Sequence, residues 1–172
     1  EKMENHVNEL ISGKSFAELD TPLGIVAVDI VSGEEIVFNS GSVARAVRAS
    51  SSIPGIFAPV EWEGHLLVDG GVRNNVPASV VEAMGAESII SVDVNYHAIK
   101  QEGPDNFMDV LLASMRILMN NNKRYAEEIS DVLIRPNLEG YNYYNLSRGD
   151  ELVRLGEEAA LASFPDIREA VL

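Results

Sequence analysis

Asp69 is the residue of this chain whose neighbours best suit it for proton transfer. It follows a short apolar run, His65-Leu66-Leu67-Val68, and precedes two glycines, Gly70-Gly71. A carboxylate is an acid–base group, and its usefulness depends on being held where a nucleophile can meet it. A strand that ends in a glycine turn does this, because glycine lets another group come close to the main chain. Downstream, Asn74 and Asn75 can bond neighbouring backbone groups and tolerate tight turns. Upstream lies Ala49-Ser50-Ser51-Ser52-Ile53-Pro54-Gly55, with Arg48 beside the serines and suited to steadying that loop. An isolated Asp-Gly-Gly also serves simply to cap a turn, so the tripeptide alone leaves both roles open.

The elements that must position Asp69 are short. Ala58 to Trp62 is expected to pair with His65 to Val68 across a turn at Glu63-Gly64. Pro77 suits the start of a helix reaching Met84, and Gly85 suits its end. Leu23 to Val31 is nearly continuously apolar and rich in β-branched residues, which predicts a strand buried on both faces of a parallel sheet. Ser32-Gly33 turns the chain, Glu35 to Asn39 returns beside it, and Ser42 caps a helix through Val47. Ser88 to Val94 and Val132 to Ile134 read as strands. Asn106 with Asp109 forms a capping pattern for a long helix to about Ile129, and Ser147 with Asp150 one for a helix to about Ser163. The half from Phe107 to Met119 is unusually apolar and is expected to pack on a sheet, with a lipid-facing lid as the alternative. Tyr141, Tyr143 and Tyr144 are expected in a half-buried loop. Alternating strands and helices give an α/β class, a mainly parallel sheet layered with helices, in one domain over residues 1–172.

Composition narrows the partners. Thirteen basic against 27 acidic residues leave a net charge of −14, which disfavours nucleic acid and electrostatic attachment to anionic lipid. The chain has no cysteine, so no disulfide and no thiolate metal site, and this fits a cytoplasmic location. No apolar run approaches the roughly 20 residues of a transmembrane helix. Asp29 and Asp93 both end apolar strands. With Asp69 they could hold Mg²⁺, although capping and loop bonding are their expected duties; no metal or cofactor is expected. His6, His65 and His97 are expected at the surface rather than in a triad.

The ordered motifs resemble the patatin-like phospholipase family in its bacterial branch. They are Phe16-Ala17-Glu18-Leu19, Val26-Ala27-Val28-Asp29, Ala46-Val47-Arg48-Ala49-Ser50, Ile53-Pro54-Gly55, Val68-Asp69-Gly70-Gly71, Asn75-Val76-Pro77 and Ile90-Ser91-Val92-Asp93-Val94. The resemblance runs from residue 16 to 95. It implies a lipid or carboxylic ester substrate and a serine–aspartate dyad on a patatin-like α/β/α sheet. Asp69 would be the dyad's aspartate, with Gly70, Gly71, Asn75 and Arg48 supporting its loop. The family's serine lies in a Gly-x-Ser-x-Gly elbow, which these 172 residues lack. Gly13-Lys14-Ser15-Phe16-Ala17 has no second glycine, and Ser50, Ser51 and Ser52 have no glycine two residues before them. The chain is therefore expected to be the C-terminal portion of such a hydrolase, incomplete on its N-terminal side and inactive alone. The alternative is a non-catalytic assembly module, with a homo-oligomer or the missing N-terminal half as partner.

Overall fold

The computed structural model describes residues 2–95, 105–121, 123–141 and 148–172. Tyr143, Tyr144, Ser147 and His97 lie outside them. The chain divides into two compact units, Glu1–Asn75 and Val76–Leu172. No helix among the described residues is long and apolar enough to cross a membrane.

In the first unit, helix α1 (Lys2–Leu10) leads through a single 3₁₀ turn (Phe16–Glu18) into strand β1 (Ile25–Asp29). Strand β2 (Glu35–Phe38), helix α2 (Val43–Ser50), strand β3 (Val60–Trp62) and strand β4 (His65–Asp69) follow. Both expected hairpins form. β1 turns back on β2 with Gly33 at φ +75°, and β3 on β4 with Glu63 and Gly64 at φ +52° and +85°. The sheet order is β2-β1-β4-β3, and all three pairings are antiparallel.

β1 is buried along its whole length, as its apolar run requires, but it does not lie in a parallel sheet. Antiparallel neighbours satisfy it because β-branched composition answers to burial on two faces and not to the direction of the neighbouring strand. One face carries Ala27, Leu67, Ile36, Phe38, Val60 and Trp62, closed by Ala49 of α2. A second cluster joins Phe16 and Ile25 to Val43 and Ala46. The small residues Ala46 and Ala49 bring α2 close to the sheet, and both are fully buried. Phe38 and Trp62, from the two edge strands, stack with centroids 4.3 Å apart. Ser42 caps α2 by accepting the Arg45 N–H at 3.3 Å.

The second unit holds helix α3 (Ala78–Ala83), strand β5 (Ile90–Val92), helices α4 (Phe107–Asn121) and α5 (Arg124–Ile129), strand β6 (Val132–Ile134), and helices α6 (Gly149–Ala162) and α7 (Phe164–Val171). β5 and β6 pair in parallel, with Ile90 opposite Val132 and Val92 opposite Ile134. Among the described residues, parallel pairing is confined to this couple. Val76, Ala78, Ile89 and Ala126 form the core.

The Asn106–Asp109 cap forms as expected: the Asp109 N–H donates to Asn106 Oδ1 at 3.0 Å, and Asn106 Nδ2 to Asp109 Oδ2 at 2.7 Å. The long helix expected to reach Ile129 is instead two helices. α4 ends in Asn120-Asn121, and asparagine competes for backbone hydrogen bonds in ways that end helices. The expectation that α4 packs its apolar side away is met only in part: Leu112, Met115 and Met119 are half-buried. Phe107, Met108, Val110, Leu111, Ile117 and Leu118 are all exposed, since a two-stranded sheet of three-residue strands offers little area to cover them.

Candidate functional site

Asp69 is the last residue of β4 and stands opposite Ala27 of β1. Residues opposite each other share a face of the sheet, so Asp69 belongs to the face that carries Ala27 and Leu67. It then opens a 3₁₀ turn, Gly70–Val72. Its Oδ1 accepts the Gly71 N–H at 2.7 Å, and its own N–H donates to the Ser52 carbonyl at 3.0 Å. The aspartate is thus held at both main chain and side chain.

Gly70 is buried and shows why this position tolerates no other residue. A Cβ there would stand 2.4 Å from the carbonyl oxygen of Val26 and 2.8 Å from its carbon. The turn closes over β1 through that gap, and the Gly70 carbonyl then accepts the N–H groups of Arg73 and Asn74 at 3.1 and 2.9 Å. Gly71 contributes its N–H rather than any unusual torsion. Asn75 is half-buried, with its amide nitrogen shielded from solvent.

The electrostatics of Asp69 follow from its burial. Loss of solvent raises the pKa of its carboxyl from the ordinary aspartate value, and the Gly71 N–H opposes this in part. Among the described residues no arginine, lysine or histidine forms an ion pair with it. A carboxylate of raised pKa, fixed and without a counter-cation, is a better base near neutrality than a solvated one.

Arg48 lies in the last turn of α2. Its Nη1 donates to Ser52 Oγ and its Nη2 to the Ala58 carbonyl at 3.0 Å, while Ser52 Oγ donates to the Arg48 carbonyl at 2.7 Å. Ser52 is fully buried. The position of Arg48 beside the serines pointed to this loop, but nothing in the run of three serines marks Ser52 as the buried one. Ser15, in the incomplete Gly-x-Ser pattern, caps the turn after it, its Oγ donating to Glu18 Oε2 at 2.6 Å.

The other two strand-end aspartates have separate duties. Asp29 Oδ1 accepts the Val31 N–H at 2.9 Å, and its Oδ2 lies 2.9 Å from His65 Nδ1. The register places Asp29 across from Leu67, and so diagonal to His65 on the same face of the sheet. The His65 contact, then the Val31 N–H, lowers Asp29 to about 2. His65 is therefore engaged with Asp29 instead of standing alone at the surface. Asp93 is buried; its Oδ1 accepts the Asn95 N–H at 3.0 Å and its Oδ2 the Lys123 ammonium at 2.7 Å. Among the described residues no group of three or more acidic or histidine side chains could hold a metal ion, so Asp29, Asp69 and Asp93 do not make the Mg²⁺ cluster considered from sequence.

The profile of a family described as patatin-like phospholipase matches residues 1–81. Over 95 residues the chain is 34% identical to an uncharacterized NTE family protein of Mycobacterium bovis, covering 55% of this chain and 26% of that protein. A second uncharacterized NTE family protein, from Mycobacterium tuberculosis, is 44% identical over 78 residues, 45% of this chain and 13% of its own length. The patatin-like phospholipase domain-containing protein 7 of Mus musculus is 37% identical over 90 residues, 51% of this chain and 7% of its own. This chain thus spans about a quarter or less of the length of these relatives. The matched stretch contains β1, α2, β4 and the Asp69 turn, and over it the chain is similar to the patatin-like phospholipase family.

Proposed function

We propose that this chain supplies the acid–base aspartate of a serine–aspartate acyl hydrolase acting on lipids or other carboxylic esters. Residues 1–172 are taken as the C-terminal portion of one hydrolase domain, with the nucleophilic serine contributed by protein outside them. The observation that carries this is the state of Asp69: fixed at the end of β4, half-buried, and raised in pKa by burial, with no ion pair to it among the described residues.

In a dyad no histidine stands between base and nucleophile. Asp69 takes the serine proton as the serine oxygen bonds to the ester carbonyl carbon, and backbone N–H groups stabilise the resulting oxyanion. The protonated Asp69 returns that proton to the departing alcohol as the carbon–oxygen bond breaks. Asp69 then deprotonates a water as its oxygen bonds to the acyl carbon, and returns that proton to the serine oxygen as the acyl–serine bond breaks and the carboxylic acid leaves. Gly70 allows the turn to close, Gly71 orients the carboxylate, and Asn75 and Arg48 support the surrounding loops. The chemistry needs no cofactor. With a net charge of −14, contact with lipid rests on apolar surface rather than on attraction to anionic headgroups. Cytoplasmic location remains part of the proposal.

A second reading, a non-catalytic assembly module, draws on the exposed apolar residues of α4 and on Ile90 and Val92 of β5. Surfaces of that kind mark sites of association, with the missing N-terminal half or a second copy as occupant. Assay of the 172-residue chain on short-chain nitrophenyl esters tests the proposal's division of labour. No turnover above buffer is expected; turnover that disappears in Asp69→Asn would mean that the chain carries its own nucleophile.

A further inference from the structure

We propose that half-buried Arg48 and buried Ser52 form a positioning pair that sets where Asp69 stands, an inference that rests on the acid–base role of Asp69 given above. Arg48 lies in the last turn of α2 and Ser52 just beyond its C-cap Ser51, where the chain leaving the helix brings the two side chains into contact. Their contact is reciprocal. Ser52 Oγ donates its single proton to the Arg48 carbonyl at 2.7 Å and accepts from Arg48 Nη1. A hydroxyl engaged as donor and acceptor at once has its rotamer fixed, and the absence of solvent around Ser52 makes exchange with water costly.

The second arm of the guanidinium reaches the Ala58 carbonyl at 3.0 Å, closing the loop from Ile53 to Phe57 at its base. The Ser52 carbonyl accepts the Asp69 N–H at 3.0 Å. Asp69 is therefore gripped from two directions, with Ser52 holding its amide and Gly71 holding its carboxylate. The fork matters as much as the charge. Arginine presents donors in a planar array that meets two oxygens together, whereas lysine offers a point charge on a flexible stem. Arg48 and Ser52 touch no substrate in this scheme; they act through the main chain on the group that does.

The test uses Arg48→Gln, Arg48→Lys and Ser52→Ala in the 172-residue chain, read by residue-resolved amide hydrogen exchange and by ¹³C NMR titration of the Asp69 carboxyl. Each variant is expected to speed exchange at the Asp69 and Gly71 amides by about tenfold or more, as a local opening does, while the β1–β2 ladder keeps its rates. The Asp69 titration is expected to move down toward the ordinary range as water reaches it. Unchanged exchange and titration at Asp69 would overturn the proposal. So would equal acceleration throughout the ladder, which marks general loss of stability, or full rescue by lysine. Should Arg48→Gln not fold, Ser52→Ala removes one oxygen and decides the matter alone. These readouts concern only how Asp69 is fixed, so a confirmed clamp with an Asp69→Asn enzyme that still hydrolyses esters would refute the acid–base role and leave the clamp standing.

Discussion

Gly70 and the Val26 carbonyl are so close that a single added carbon would have to occupy space 2.4 Å from the oxygen. The obstacle is backbone in the middle of a four-stranded sheet, not the tip of a side chain that can swing aside. The turn carrying Asp69 therefore exists in this form only with glycine at position 70.

Gly70→Ala should destabilise the chain by about 1–3 kcal/mol, the usual cost of overpacking a closed site. It should also shift the Asp69 carboxyl. Urea denaturation checks the first, and ¹³C titration of Asp69 the second. Wild-type stability with an unmoved Asp69 would mean that β1 yields more easily than its pairing implies.

Burying Asp69 carries a cost that a neutral replacement removes. Its pKa is raised in the folded state, so the native chain binds more protons than the unfolded one as pH rises from the ordinary aspartate value to the folded value. Across that window this group lowers stability, and the loss persists above it. Asp69→Asn, whose side-chain oxygen can still accept the Gly71 N–H, should be more stable than wild type at pH 7, with the difference closing near pH 3. Denaturation midpoints at the two pH values measure this. An asparagine variant less stable than wild type at pH 7 would contradict it.

Asp29 has the opposite sign. Its pKa falls from an ordinary 3.8 to about 2, first through His65 and then through the Val31 N–H. The unfolded chain binds more protons there, so the stabilisation is complete above 3.8 and is lost as pH falls through 2. Asp29→Asn should flatten the acid limb of the stability profile in that interval. The two aspartates, although on one face of one pair of strands, are thus separable by the direction of their pH dependence.

What was legible in the sequence is what local chemistry decides. Glu63-Gly64 forces the β3–β4 turn, Ser42 caps α2, and Asp29 and Asp93 each bond an N–H two residues on. Asp69 stood out because a strand end and two glycines are visible without coordinates. What was not legible depends on distant partners. The Asp29–His65 and Asp93–Lys123 contacts span 36 and 30 residues, and no local pattern pairs them. The burial of β1 could be read from its composition, but the antiparallel direction of its neighbours could not, because side chains report how deeply a strand lies and not which way the next one runs. α4 reads as a core helix because its apolar residues surround it; apolarity states a preference for burial without naming the surface that satisfies it.

The most direct measurement is ester hydrolysis by a longer protein that carries both this chain and a Gly-x-Ser-x-Gly segment upstream, with and without Asp69→Asn. A general base contributes roughly 10²–10⁴-fold, and the substitution should remove about that much of kcat while the protein stays folded. A folded Asp69→Asn enzyme whose kcat remains within a few-fold of wild type would show that the proton leaves the serine by another route.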